Sequence, residues 1–428
     1  MSSPDPVIHV FNKGDYSQHR LVTLPPQPPS QLPPSSIRIR TRLLGQTTNN
    51  LTYANLGFAL GWWSIYPPPP HTPPPYNDAE KYASVPGWGY ADVLESSLPD
   101  LVPAGSCVYG YIPVGTLPAD VQIADAGFPN QLLVTSPHRQ HLWTIYNRLT
   151  LVPRRDFAAL EQATPSAATE LALDALMQVL FGTAYNLNRY GFAWDPAVRV
   201  HPAGVTDASS SSPPWTAADA DLSAAFVFIL NAAGKTGLSF AYCLRSARPA
   251  AHQPGAVIGV GSARSSGVLA DSGFFDAVLR YEDAQQAARE LVEKARPARV
   301  VVLDFGARKG GMQAFVDAVS VVQGVRVSAV HVGGEVRPAG PGELMERLKA
   351  RGGGRVQVNA NVLREKGIEV AGGAYFEEFA QAWKGFVEKG GVPGMQVKWG
   401  TGMEDWEKGW DAFCKDEVPA GEGRVYRI

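Results

Sequence analysis

The stretch AAFVFILNAAGKTGLSFAYCLRSA, residues 224–247, decides the fold. It reads as a continuous apolar strand, a glycine turn and an amphipathic helix. The same alternation continues downstream. AVIGVGSARSS (256–266) is a second strand and turn, and FFDAVLRYED (274–283) leads into the helix AQQAARELVEKARPA. ARVVVLDFGA (298–307) is a third buried strand, GMQAFVDAVSVVQG (311–324) a helix, and VRVSAVHVGG (325–334) a fourth strand. Wholly apolar strands alternating with helices predict a parallel sheet covered on both faces, with right-handed crossovers.

Upstream the texture differs. IRIRTRLL (37–44), YADVLESS (90–97), SCVYGYIPV (106–114) and NQLLV (130–134) are short β-branched or aromatic runs between Gly/Pro turns. They predict a mostly antiparallel β-domain. Residues 156–190 carry helical spacing, broken at Pro165. Two proline islands, LPPQPPSQLPP (24–34) and YPPPPHTPPPY (66–76), are expected to be extended loops. They are either ligands for a proline-reading domain or plain surface loops. The Ser/Pro-rich 202–215 reads as a flexible insertion. Beyond the fourth strand the expected order is a basic helix, GELMERLKARG (342–352), then a strand, RVQVNANVL (355–363). A helix (375–390) and a closing strand, GRVYRI, follow.

The chain has 428 residues, 45% of them apolar and 18% charged, which excludes wholesale disorder. A net charge of −2 gives no basic field for nucleic acid or a membrane surface. Cys107, Cys243 and Cys414 are too scattered for a disulfide framework or a clustered zinc site. With no secretory pattern at the N-terminus and no long apolar run, a cytoplasmic protein is expected.

A strand running into a glycine turn and a helix N-terminus favours a diphosphate. Gly234 lets backbone approach the phosphates, and Gly237 lets the helix pack close to the strand. Lys235 and Thr236 stand between them. Lys235 adds a cation or crowds the turn. The second strand ends Gly261-Ser262-Ala263-Arg264, without the acid that a ribose 2′-OH prefers. Ser262 and Arg264 suit a 2′-phosphate, so NADPH is favoured over NADH; the plain alternative for Arg264 is a solvated loop charge. Gly234-Lys235-Thr236 also has the ending of a P-loop, with Val301-Val302-Leu303-Asp304 as its acidic strand. A P-loop needs glycine at position 229, where the chain has Ile229 inside the strand. Nucleotide hydrolysis is therefore disfavoured.

The two halves together resemble the medium-chain dehydrogenase/reductase superfamily, in its zinc-free quinone oxidoreductase and enoyl reductase branch. Pro86 to Val93 is similar to the superfamily's glycine-rich strand pair, and Ala104 to Gly110 to its turn, with Ser106 in place of Asp. Phe181-Gly182-Thr183-Ala184-Tyr185 resembles the segment beside the nicotinamide, Ala232 to Gly237 the diphosphate turn, and Gly421 to Val425 the terminal strand. A closer resemblance is to the uncharacterised family DUF2855, through Asn49 to Ala54, Trp88-Gly89-Tyr90 and Tyr109-Gly110-Tyr111.

The resemblance implies an α/β chain. A GroES-like catalytic β-domain spans 1–165, and a Rossmann doubly wound cofactor domain 166–337 with an insertion at 196–222. A C-terminal segment, 338–428, returns to the β-domain. It implies NADPH held by Thr183, Gly234, Lys235, Thr236, Gly237, Ser262, Arg264 and Tyr281. Asn50, Thr52 and Tyr53 are the implied catalytic group: Asn50 polarises a carbonyl, Tyr53 donates a proton and Thr52 assists. Asn50 as a turn residue and Tyr53 as aromatic packing are the plain alternatives. No metal is expected, because Trp88-Gly89 stands where zinc relatives have His-Glu, and His138 and His141 lack a third ligand. The implied activity is zinc-independent reduction of an activated C=C bond in an enone, enoyl or quinone-type molecule, planar or bearing an unsaturated carbonyl. A homodimer is a further expectation of the resemblance. The alternative is a catalytically quiet ligand-binding or partner protein.

Overall fold

Phe226–Leu230 is the hub of a six-stranded sheet. It pairs in parallel with Ala256–Gly261 on one side and Arg299–Phe305 on the other. Across the sheet the strands run Ala277–Arg280, Ala256–Gly261, Phe226–Leu230, Arg299–Phe305, Arg326–Gly333 and Val356–Gln357. Counted along the chain this is the order 3-2-1-4-5-6, and every neighbouring pair is parallel. That order opens a crevice between strands one and four, where a doubly wound sheet binds ligands. Val227, Ile229, Val301 and Leu303 face one side. Phe228, Leu230, Val300 and Val302 face the other, against Ala288 and Val292 of the helix Ala284–Ala295 and Phe315 of Gly311–Ser320. The computed structural model describes residues 5–28, 30–154, 157, 165–205, 212–306, 311–334 and 355–428.

The β-domain is a closed circuit. Ser36–Gln46 pairs antiparallel with Gly87–Ser96 and, along its first half, with Ala119–Asp125. Cys107–Ile112, Arg148–Val152 and Gln131–Val134 complete the ring. Gly105 turns between strands at φ 83°, a conformation that favours glycine. Trp88-Gly89-Tyr90 lies opposite Tyr109-Gly110-Tyr111. Period-two alternation puts the aromatics on one face and the glycines on the other. A Cβ at Gly89 would collide with the Leu43 carbonyl, so the bare residue lets the strands close. The chain's end returns to the barrel: Glu422–Arg427 pairs with Ser36–Gln46, and Gln396–Thr401 lies beside it in parallel. Val7–Asn12, Asp15–Thr23 and Tyr82–Ala83 form a separate three-stranded sheet.

Pro165 begins the helix Pro165–Asn186 rather than only breaking a pattern, as suits proline in a first turn. The helices Ala360–Ala371 and Ala374–Glu388 pack on it, with the Phe181 ring 5.1 Å from Trp383 and 5.2 Å from Phe386.

Several expectations are corrected. RVQVNANVL is a strand only at Val356–Gln357, because the Asn359 side chain accepts from the Val362 N–H and starts a helix. The second proline island is not extended: Thr72 N–H bonds Pro69 O and Tyr76 N–H bonds Pro73 O, folding it into turns. One edge strand was not read from the sequence, Ala277–Arg280. It is four residues long and half-exposed. Trp215, beside the Ser/Pro run, is buried and donates to Gly191 O at 2.7 Å. GELMERLKARG lies outside the described residues. Among the described residues no helix is long and apolar enough to cross a membrane.

Candidate functional site

The turn after Phe226–Leu230 sits at the carboxyl edge of the parallel sheet. Asn231 has φ 56°, a left-handed conformation that asparagine tolerates. Its N–H donates to the Tyr281 hydroxyl at 2.7 Å, and its amide nitrogen reaches Phe305 O at 3.2 Å. One residue thus ties strand one to strands three and four. Gly234 is the N-cap of the helix Lys235–Ser246 and supplies no side chain to it. As at any helix start, the N–H groups of Lys235, Thr236 and Gly237 have no helical carbonyl one turn back. A Cβ on Gly237 would stand 3.0 Å from Ala232 O, so this glycine packs the helix against the strand.

Lys235 points away from the first-turn N–H groups. Its ammonium donates to Glu422 O at 3.4 Å, and burial pulls its pKa down to about 8 against the pull of Glu422. Burial opposes the charge of Glu422, yet bonds from Lys398 (2.7 Å) and Arg424 (2.6 Å) hold its pKa below the usual value. Ser262 N–H donates to Ser265 Oγ at 3.0 Å. Arg264 is exposed and reaches Asp416 at 3.4 Å. Asp304 accepts from Gly306 N–H at 2.8 Å and lies 3.3 Å from His331 Nδ1.

On the barrel side, Asn50, Thr52 and Tyr53 share the helix Thr48–Leu60. Asn50 Oδ1 accepts from Thr47 N–H at 2.9 Å, closing a capping box. Thr52 bonds Thr48 O at 3.3 Å. Tyr53 is buried, and its oxygen accepts from Trp88 Nε1 at 2.9 Å. Burial pushes its pKa up to about 12, against hydrogen bonds from Trp88 and Asn49. Its ring meets Trp62 and Tyr111 edge-on, at 4.8 and 5.0 Å. His138 and His141 turn to Ile65 O and to Ser64, respectively.

The halves meet at the last strand. Arg424 pairs with Gln46, just before the helix that carries Asn50. Glu422, which holds Lys235, lies two residues along, about 7 Å at strand rise. The glycine turn, Tyr281 and Ser262 thus gather at one edge. Thr183 is half-buried on Pro165–Asn186, a helix packed against Lys235–Ser246, and Arg264 reaches Asp416 at the surface.

A family model described as a protein of unknown function, DUF2855, matches residues 44–419. The chain belongs to the DUF2855 family. No curated protein sequence matches it. Solved structures share its fold at low identity. An enoyl thioester reductase mutant from Candida tropicalis is 10% identical with TM-score 0.54, both chains covered in full. The Etr1p/NADP/crotonyl-CoA complex is 11% identical with TM-score 0.54, again over both chains in full. A protein described as an NADPH:quinone reductase from Bacillus thuringiensis is 13% identical with TM-score 0.56, with both chains fully covered. This DUF2855 chain therefore has a GroES-like barrel joined to a Rossmann domain.

Sequence reasoning passed over three residues of this DUF2855 site. Asp174 is a buried carboxylate taking the Tyr90 hydroxyl (2.5 Å) and Trp383 Nε1 (2.8 Å). Arg139, inside the H-x-x-H stretch, is fully buried and donates to Asn147, Tyr66 and Tyr146 O. Asn231 follows the strand Phe226–Leu230 and is the first residue of the glycine turn, to which no role was given. Its readiness for a left-handed conformation was the one local signal available.

Proposed function

We propose that the chain is a zinc-independent, NADPH-dependent reductase of an activated C=C bond in a small enone, enoyl or quinone-type molecule. The observation that carries the reading is the Asn231–Gly237 turn. Its helix starts without a side-chain cap, Gly237 is pressed on the strand, and the turn lies at the switch point of a 3-2-1-4-5-6 sheet. These residues fit a nicotinamide dinucleotide: the first-turn N–H groups for the diphosphate, Ser262 and Arg264 for the 2′-phosphate, and Tyr281 to brace the turn. Thr183 is the proposed contact beside the ring. When bound, the cofactor supplies a hydride.

The chain's own groups do the rest. The Tyr53 phenol keeps its proton at neutral pH, as a donor to a developing oxyanion must. Asn50 fixes the helix start through Oδ1, while Nδ2 lies 3.6 Å from where a Gly87 Cβ would stand. In this reading its amide N–H orients a carbonyl, and Thr52 lines the approach. The aromatic wall of Trp62, Trp88, Tyr111 and Tyr146 excludes water and favours a flat substrate.

The test is NADPH, NADH and ATP–Mg²⁺ binding by calorimetry, followed by NADPH oxidation with enones and quinones. Tight NADPH with weak NADH supports the reading; ATP binding alone refutes it. One observation favours the quiet-protein alternative: Tyr281 and Glu422 already occupy the Asn231 N–H and the Lys235 ammonium. Failure to bind any nucleotide would select it.

A further inference from the structure

A cavity of about 370 Å³ opens on the β-domain, around the turn that joins Ala119–Asp125 to Gln131–Val134. Small-molecule sites occupy roughly 300–1,000 Å³, so this one is large enough for a ligand. It is separate from the cofactor crevice. Leu151 in its wall pairs with Val108, four residues along the strand from Ile112, and Ile112 pairs with Gly87 beside Asn50. At strand rise that separation is about 13 Å.

The walls are of two kinds. Leu101, Phe128, Leu132 and Leu151 supply the apolar side, and the Phe128 ring is braced by Phe376 at 4.9 Å between centroids. Asp125 and Gln131 supply the polar side. Gln131 is 7% exposed. Its Nε2 donates to Thr150 Oγ1 at 3.3 Å, while Oε1 is buried with no hydrogen-bond partner. Asp125 Oδ1 takes the Gly127 N–H at 2.9 Å, and among the described residues no cation pairs with its carboxylate. The loop backbone is committed elsewhere: Ala126 N–H bonds Gln131 O, Gln131 N–H bonds Phe128 O, and Leu151 N–H bonds Asn130 O. A buried acceptor left open costs free energy until a donor reaches it. An ammonium ion brings donors for both oxygens and a charge for Asp125, and an apolar stem covers the leucines and the ring. An anion meets Asp125 with the wrong sign.

We propose that this cavity is a second ligand site, taking a small primary amine on an aromatic or aliphatic stem. The ammonium lies between Asp125 and Gln131 Oε1, and the stem lies against Phe128, Leu132 and Leu151. The site stands independently of the reductase reading.

The probe is phenethylamine, titrated into the full chain at neutral pH and followed by calorimetry and ligand-observed NMR. Hydrocinnamate, with the same stem and the opposite charge, is the control. Wild type is expected to bind the amine and not the acid. Asp125→Asn keeps the oxygen that takes the Gly127 N–H and removes the charge. It is expected to weaken the amine about threefold, the scale of an exposed ion pair. Gln131→Leu is expected to weaken it about tenfold, the size of one hydrogen bond from a charged donor. Tm is read for each variant, and Asp125→Asn, which spares the turn, keeps the test decisive if Gln131→Leu melts early. No amine binding to wild type, equal binding of the acid, or unchanged amine affinity in Asp125→Asn and in a folded Gln131→Leu overturns the proposal. So does displacement of the amine by NADPH, which would place it in the crevice. Stronger binding of N-acetyl-lysine methylamide than of phenethylamine also overturns it, in favour of a partner's lysine.

Discussion

Tyr281 places its hydroxyl 2.7 Å from the backbone nitrogen of Asn231, at the head of the glycine turn. That N–H would otherwise point into the crevice without a protein acceptor, from a residue held at φ 56°. The phenol therefore holds the turn in shape. Tyr281→Phe keeps the ring and removes the acceptor. The expected outcome is a loss of about 1 kcal/mol in denaturant stability, the usual worth of one such bond, with weaker NADPH binding. Unchanged stability would mean that another group or water takes the N–H.

Arg264 is exposed and held at 3.4 Å by Asp416, a contact weak enough to exchange for a phosphate. Arg264→Ala is expected to weaken NADPH far more than NADH. Asp416→Ala, which removes the carboxylate and leaves Arg264 only the backbone carbonyl of residue 416, is expected to strengthen NADPH and leave NADH unchanged. Calorimetry with both nucleotides reads both variants. Equal effects on the two cofactors would remove Arg264 from the 2′-phosphate position.

The parallel sheet was legible because its central strands are apolar on both faces: FVFIL and VVVL leave no other reading once helices separate them. The edge strand Ala277–Arg280 was not, since a half-exposed four-residue strand has neither length nor apolar run to announce it. The glycine turn was legible in position but not in wiring. Nothing in AAGKTG says that Lys235 reaches the last strand of the other domain, nearly two hundred residues on. The helix Thr48–Leu60 escaped notice because its apolar residues make no stripe, and it is held at its start by a capping box with Asn50 at the third position instead of Glu or Gln. The aromatic excess was visible. Its selection of Asp174 and Arg139 as buried partners depends on three-dimensional placement alone.

Gly237 tests the packing half of the site. An added Cβ would sit 3.0 Å from Ala232 O, 3.1 Å from Asn231 O and 3.2 Å from Ala232 Cα, all backbone that cannot rotate away. Gly237→Ala is expected to cost about 1–3 kcal/mol by overpacking and to abolish NADPH binding as the helix start is lifted. Gly267→Ala is the control, because nothing lies within 4 Å of its added Cβ. Chemical denaturation and nicotinamide fluorescence should separate the two.

Lys235 makes the last prediction one of pH. Burial lowers its pKa from 10.5 to about 8, so the folded chain sheds this proton before the unfolded chain does. Between pH 8 and 10.5 the unfolded state holds more protons, and linkage then makes stability rise with pH in that window. Below pH 8 the buried ammonium is charged in both states and its burial works against folding. Lys235→Met removes this dependence. The stability of wild type relative to the variant should therefore climb from pH 8 to 10.5 and be level below. Binding runs the other way. If the ammonium helps to hold a diphosphate, NADPH affinity in wild type falls between pH 7 and 9 as the charge is lost, while the variant is weaker at pH 7 and flat across the range. A stability difference that rises as stated, with no slope in NADPH affinity, would assign Lys235 to the join with Glu422 and not to the cofactor.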